Sequence, residues 1–164
     1  IVDGIFSLKS IPGRLEFIDM GQNFYSVVDF AHTPDGMQQI LNSLKEKELL
    51  VVFGAGGDRD KSKRPMMGRI DSSYAKKVYV TSDNPRDEVP EMILEDILLG
   101  LHGKDHVTAT PDRRLAIKMA LDALEENEIL LILGKGDEDY QEIKGVKHPF
   151  DDREVVRELL QERV

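Results

Sequence analysis

A chain of 164 residues is the length of one domain and long enough to bury a real core. With 31 acidic against 22 basic side chains the net charge is −9, which excludes non-specific nucleic-acid binding through a broadly basic face but allows a local basic pocket for a small anion. The absence of cysteine removes disulfides and thiolate metal sites, and a cytoplasmic compartment is the simple expectation.

Short aliphatic stretches alternate with helical patterns along the whole chain. Residues 25–30 (YSVVDF) read as a strand, and 34–47 as a helix with Pro34 in its first turn. The continuous aliphatics of 49–53 (LLVVF) mark a strand buried on both faces. A helix over 64–74, a strand at 77–81 (KVYVT) and a helix over 90–100 ending in Gly100 come next. A short strand near 106–109 leads into a helix over 111–125, where Ala, Leu, Ile and Met recur at helical spacing. Residues 128–133 (EILLIL) are another buried strand, and a helix over 152–162 closes the chain. This order predicts an α/β domain with a doubly wound, mostly parallel sheet. No apolar run approaches the roughly 20 residues that span a bilayer, and no signal-peptide pattern opens the chain. It begins at Ile1 with no initiator Met, which we read as a piece of a longer protein.

In such sheets ligands bind outside the carboxyl ends of the strands. The segments that follow the strands are AHTPDG (31–36), GAGGDRDKSKRP (54–65), SDNPRDE (82–88) and GKGDEDYQ (134–141), all rich in Gly or charged residues. The opposite connections, KEKE (45–48) and EENE (125–128), read as ordinary solvated charge. The functional site is therefore expected at one end of the sheet.

Each loop also has a plain structural reading. The glycines of 54–57 permit close backbone approach or positive φ, while Arg59, Lys61, Lys63 and Arg64 form a basic stripe suited to an anionic substrate. Neither a P-loop nor a G-x-G-x-x-G fingerprint is present. Asp29 and His32 fit a nucleotide's ribose and base, but Thr33 or Asp35 equally fit a helix cap. Asp137, Glu138 and Asp139 suit an ammonium group or a metal, or cap the next segment. His102, His106 and His148 are scattered and make no metal-site spacing. Asp83-Asn84-Pro85-Arg86 suits a type I turn, which accounts for three residues and leaves Arg86, whose planar fork matches a carboxylate.

Taken together, PGRLE (12–16), DFAHTPDGM (29–37), VVFGAGGDRDKSKRPMMG (51–68), TSDNPR (81–86) and LGKGDEDYQ (133–141) resemble, in order and spacing, the C-terminal domain of the Mur ligases. The resemblance covers essentially the whole chain, 1–164, as a single Rossmann-like domain, with 1–20 as interdomain linker and first strand region. It implies a three-domain parent whose N-terminal and central domains hold the UDP-sugar substrate and the ATPase site. The implied reaction is ATP-dependent ligation through an acyl phosphate, adding an amino acid to UDP-MurNAc-L-Ala-D-Glu in peptidoglycan synthesis in the bacterial cytoplasm. No catalytic or metal-ligating residue is expected in these residues. ATP is shared with the central domain, and the Mg²⁺ ligands are expected there, so the isolated piece is expected to be inactive.

By motif match, DNPR marks the family members that use meso-diaminopimelate. The implied binding set for that amino acid is Arg59, Asp83, Asn84, Pro85, Arg86, Gly134 and Glu138, with Arg86 on the distal carboxylate and Glu138 with the Gly134 carbonyl on the distal ammonium. The implied ATP contacts are Arg14, Asp29 and His32. The sequence departs from the family pattern in Asp137 for a His, Phe30 for a Tyr and Ser62 for a Gly. Alternatives are a lysine-adding Mur ligase or a folylpolyglutamate synthetase-like ligase, against which DNPR and GKGDEDYQ speak, and a non-catalytic α/β ligand-binding module.

Overall fold

The computed structural model describes residues 11–101 and 105–163. The first ten residues of the expected linker, and His102, lie outside them. Six strands form one sheet: β1 (Glu16–Ile18), β2 (Tyr25–Asp29), β3 (Leu49–Phe53), β4 (Lys77–Val80), β5 (Val107–Ala109) and β6 (Ile129–Leu133), in the order β1-β2-β6-β3-β4-β5. β1 runs antiparallel to β2 and all other pairs are parallel, as expected from the alternating pattern.

The helices are α1 (Pro34–Ser43), α2 (Lys63–Tyr74), α3 (Pro90–Leu98), α4 (Arg113–Ala123) and α5 (Asp152–Gln161). Successive strand side chains point to opposite faces, so a strand that is aliphatic throughout feeds two cores. Val27, Leu49, Val51, Phe53, Val80 and Leu131 pack with residues of α1, α2 and α3. Their neighbours Val28, Leu50, Val52, Tyr79, Leu130 and Ile132 pack with residues of α4 and α5. The sheet is thus covered on both faces, the doubly wound arrangement.

Several element ends differ from expectation, each for a local reason. Thr33 caps α1, its Oγ1 accepting from Gly36 N–H at 3.1 Å, and α1 stops at Ser43. Asp112 lies outside α4 as its cap, accepting from Leu115 N–H at 3.0 Å. Gly100 follows α3 without the positive φ of a glycine cap. A Cβ there would lie 2.0 Å from the Pro65 carbonyl of α2, so close helix packing requires the glycine. Glu128 is not solvated charge: it is 4% exposed and accepts from Lys76 Nζ at 2.6 Å.

The sequence pattern carried no sign of a two-stranded hairpin, β7 (Tyr140–Ile143) with β8 (Val146–Pro149). Lys144 and Gly145, at φ +48° and +76°, make its two-residue turn, and positive φ at both positions is what matches such a turn to strand twist. Its side chains, half-buried along β7 and exposed along β8, show no two-residue hydrophobic alternation.

Candidate functional site

Because β2, β3, β4 and β6 are parallel, the four loops that follow them meet at one end of the sheet. The loop after β3 lies directly on the loop after β4. A Cβ on Gly54 would sit 2.2 Å from the Thr81 carbonyl, and one on Gly57 only 1.8 Å from that of Pro85. Gly57 N–H donates to the Asn84 carbonyl at 2.8 Å. The glycines therefore serve loop-on-loop packing, at negative φ, rather than positive φ. No i to i+3 bond closes 83–86. The turn falls two residues later, with Glu88 N–H on the Pro85 carbonyl at 3.1 Å, and Arg86 takes φ +53°.

These loops enclose a cavity of about 400 Å³ lined by Arg59, Asp83, Asn84, Arg86, Gly134 and Glu138 among others. Six of the seven residues expected for the amino acid thus share one cavity, and Pro85 contributes its carbonyl to the Gly57 contact behind it. The Arg86 guanidinium donates from Nη1 to the Gly57 carbonyl at 2.8 Å and pairs through Nε with Glu142 at 3.4 Å. The Arg59 side chain is exposed and has no ion pair among the described residues. Asn84 is buried, its Nδ2 donating to Glu138 Oε1 at 3.0 Å while its Oδ1 accepts from Lys135 Nζ at 3.2 Å and Glu142 N–H at 2.9 Å. Lys135, wholly buried, also lies 3.6 Å from Glu138 Oε1, and burial pushes its ammonium down from the usual lysine range. Burial pushes the Asp83 carboxyl up, opposed by the charges of Arg113 and Lys135.

Two buried arginines hold the cavity from behind. Arg113, at the start of α4, forms a two-pronged pair with Asp152 of α5 at 2.7 and 2.8 Å. It also donates to the carbonyls of Ser82 at 3.1 Å and Leu133 at 3.2 Å, fixing the residues just before Asp83 and Gly134. Arg64, expected in the basic stripe, points inward instead. It is 1% exposed, pairs with Glu88 at 2.5 Å and Asp96 at 2.8 Å, and donates to the Gly56 carbonyl. The Arg64 hydrogen bond, with those from Asp58 N–H and Lys61, holds the Glu88 carboxyl down at about 2.

The residues expected for ATP line an adjoining depression. Arg14 stacks its guanidinium 4.7 Å over the Phe30 ring, and the His32 ring meets that ring edge-on at 4.7 Å. His32 Nδ1 lies 2.9 Å from the Phe30 carbonyl, which leaves Nε2 outward. Asp29 is 7% exposed, and each oxygen already accepts one backbone N–H, from Ala31 at 2.8 Å and Leu15 at 2.9 Å. One remaining lone pair on each still fits a ribose hydroxyl. Asp137, where the family pattern has His, is exposed, and its backbone N–H packs against Gly13. Among the described residues no group of three His, Asp or Glu is arranged to hold a metal ion, and no helix is long and apolar enough to cross a membrane.

The model of the Mur ligase, glutamate ligase domain family matches residues 13–136. The chain belongs to the Mur ligase family. It is 51% identical over 154 residues to the UDP-N-acetylmuramoyl-L-alanyl-D-glutamate--2,6-diaminopimelate ligase of Aquifex aeolicus, covering 92% of this chain and 32% of that protein. With the ligase of the same name from Helicobacter hepaticus it shares 52% over 163 residues, covering 99% and 35%. A solved structure of a ligase of this name superimposes with a TM-score of 0.87 at 43% identity, over 95% of this chain and 33% of the other. The bifunctional folylpolyglutamate synthase/dihydrofolate synthase of Yersinia pestis shares the fold, with a TM-score of 0.61 at 18% identity over 78% of this chain and 29% of that one. The chain spans about a third of the length of the curated relatives it matches.

The alternation of strands and helices, read from sequence, led to the four loops, and the resemblance to the family assigned residues within them. Neither led to Lys135 as a buried partner of Asn84 and Glu138, to the Arg113–Asp152 pair or to Glu142. Arg113 sat in the sequence as an ordinary helix arginine. Only its place at a helix start facing two strand ends makes it part of the site.

Proposed function

We propose that these residues are the amino-acid-recruiting domain of a ligase that adds meso-diaminopimelate to UDP-MurNAc-L-Ala-D-Glu. The observation that carries this reading is the charge layout of the cavity. Arg59 and Arg86 present two guanidinium groups beside the carboxylates of Asp83 and Glu138. Meso-diaminopimelate has two carboxylates and two ammonium groups, and a site that reads the second carboxylate rejects lysine, which lacks it. Arg86 takes the distal carboxylate, and Glu138 with the Gly134 carbonyl takes the distal ammonium.

The length of the relatives supports a parent of further domains, which bind the UDP-sugar and supply the Mg²⁺ ligands. ATP phosphorylates the acceptor's terminal carboxylate. The amine held by this domain attacks that acyl carbon, the amide forms and phosphate leaves. In this reading Arg14 reaches the ATP phosphates, Asp29 the ribose and His32 the nucleotide's flank, in a cytoplasmic enzyme. The Arg86→Ala variant of the full-length enzyme tests it. Loss of a charge-assisted fork of about 2–3 kcal/mol raises KM for meso-diaminopimelate by about 30- to 150-fold with the fold intact. An unchanged KM, or equal use of lysine by the unaltered enzyme, overturns the assignment.

A further inference from the structure

We infer that the β7–β8 hairpin is a specificity-determining element of this site, and that Glu142 on it positions the Arg86 guanidinium. The inference rests on the reading of Arg86 as the group that takes the distal carboxylate.

Arg86 stands at φ +53°, a left-handed backbone conformation that a side chain bearing a Cβ adopts only when its surroundings impose it. β7 imposes it. Arg86 N–H donates to the Glu142 carbonyl at 2.9 Å, and the Arg86 carbonyl accepts from Lys144 N–H at 2.9 Å, a parallel bridge centred on Ile143. The same Glu142 gives its own N–H to Asn84 Oδ1 at 2.9 Å. One residue of the hairpin therefore anchors the Asn84 side chain and the Arg86 backbone of the DNPR loop.

The Glu142 side chain completes the arrangement. Its carboxylate lies 3.4 Å from Arg86 Nε, and the Gly57 carbonyl accepts from Nη1 at 2.8 Å on the other side. The guanidinium is thus held by one Nη1 hydrogen bond and flanked at Nε by an opposite charge. Nη2 and the second Nη1 hydrogen have no partner among the described residues. Those two donors are the fork that binds a carboxylate bidentately. Glu142 sits at Nε rather than on this fork, so it orients Arg86 without taking the substrate's place. The side chains of the pair are 21% and 30% exposed, enough burial for the charge to act and enough solvent to keep its effect modest.

The test is Glu142→Gln in the full-length enzyme, which keeps both backbone bonds and removes the charge, with KM and kcat measured for meso-diaminopimelate and for lysine. The expected result is a rise in KM for meso-diaminopimelate of about two- to fivefold with kcat nearly unchanged. KM for lysine, which has no second carboxylate to place, stays the same. Equal rises for both amino acids would mean general damage to the site and overturn the inference. So would an unchanged KM, or a lower one, which would make Glu142 a competitor for Arg86. Arg86→Ala separates the two levels. If it raises KM for meso-diaminopimelate and Glu142→Gln does not, the positioning role alone falls; if it leaves KM unchanged, the reading of Arg86 falls and this inference with it.

Discussion

The two halves of the site are built on opposite plans. Behind the loops of the amino-acid cavity a set of polar groups is buried and hydrogen-bonded before any ligand arrives, while Arg59 stays exposed at its edge: Asn84 to Glu138, Lys135 and Glu142, and Arg113 to Asp152 and the carbonyls of Ser82 and Leu133. On the nucleotide side, Arg14 and His32 are exposed and held by little beyond the Phe30 ring. Only Asp29 is fixed there, by backbone N–H groups. In the proposed reading the first half discriminates between similar amino acids, which demands a preorganised set of partners. In the same reading the second half completes its site when another domain closes on it, which fits groups with few partners of their own.

That contrast is open to attack from its strongest member downwards. Replacing Arg113 by Ala strips the buried Asp152 of its partner and frees both strand-end carbonyls. It is expected to destabilise the domain by about 3–5 kcal/mol in denaturant unfolding, whereas a surface pair would move it by under about 1 kcal/mol. A loss at the surface-pair level would show that the cavity floor is not preorganised by this pair.

Glu88→Gln is the next step down, at about 1–3 kcal/mol, because Arg64 keeps Asp96 and the Gly56 carbonyl. Its pH dependence has a definite sign. The folded carboxyl sits at about 2 against an ordinary 4.5, so the unaltered domain holds the full contribution above the ordinary value and loses it as pH falls from about 4.5 to about 2. The stability difference between the unaltered protein and the Glu88→Gln variant should shrink across that window, and urea titrations at several pH values measure it. A difference constant down to the lower limit would contradict the pairing.

The smallest structural effect belongs to Arg14→Ala. Loss of an exposed stack on Phe30 costs about 0.5–1 kcal/mol or less in thermal unfolding. KM for ATP in the full-length enzyme rises by about tenfold with KM for meso-diaminopimelate unchanged. A change in the amino acid's KM of similar size would mean that the two halves are coupled within this domain.

Much of this was legible in the sequence because it is local. Strands that are aliphatic throughout, such as LLVVF and ILLIL, announce burial on both faces, and parallel strands put their following loops at one end. The hairpin was not legible, since YQEI and VKHP carry polar side chains with no alternation and are set by pairing rather than by burial. Arg64 and Arg59 stand close together in one basic stretch, and nothing in their chemistry says that the first turns inward to Glu88 while the second faces the cavity.

By itself, then, the sequence determined the α/β order, the sheet end that carries the site and the residue types available there, because hydrophobic period and turn chemistry act over a few residues. The tertiary structure decided which polar groups face the cavity and which became struts. That choice depends on burial and on partners far along the chain: Arg113 on Asp152, Asn84 on Glu138, and Arg86, the arginine a simple turn left over, on Glu142.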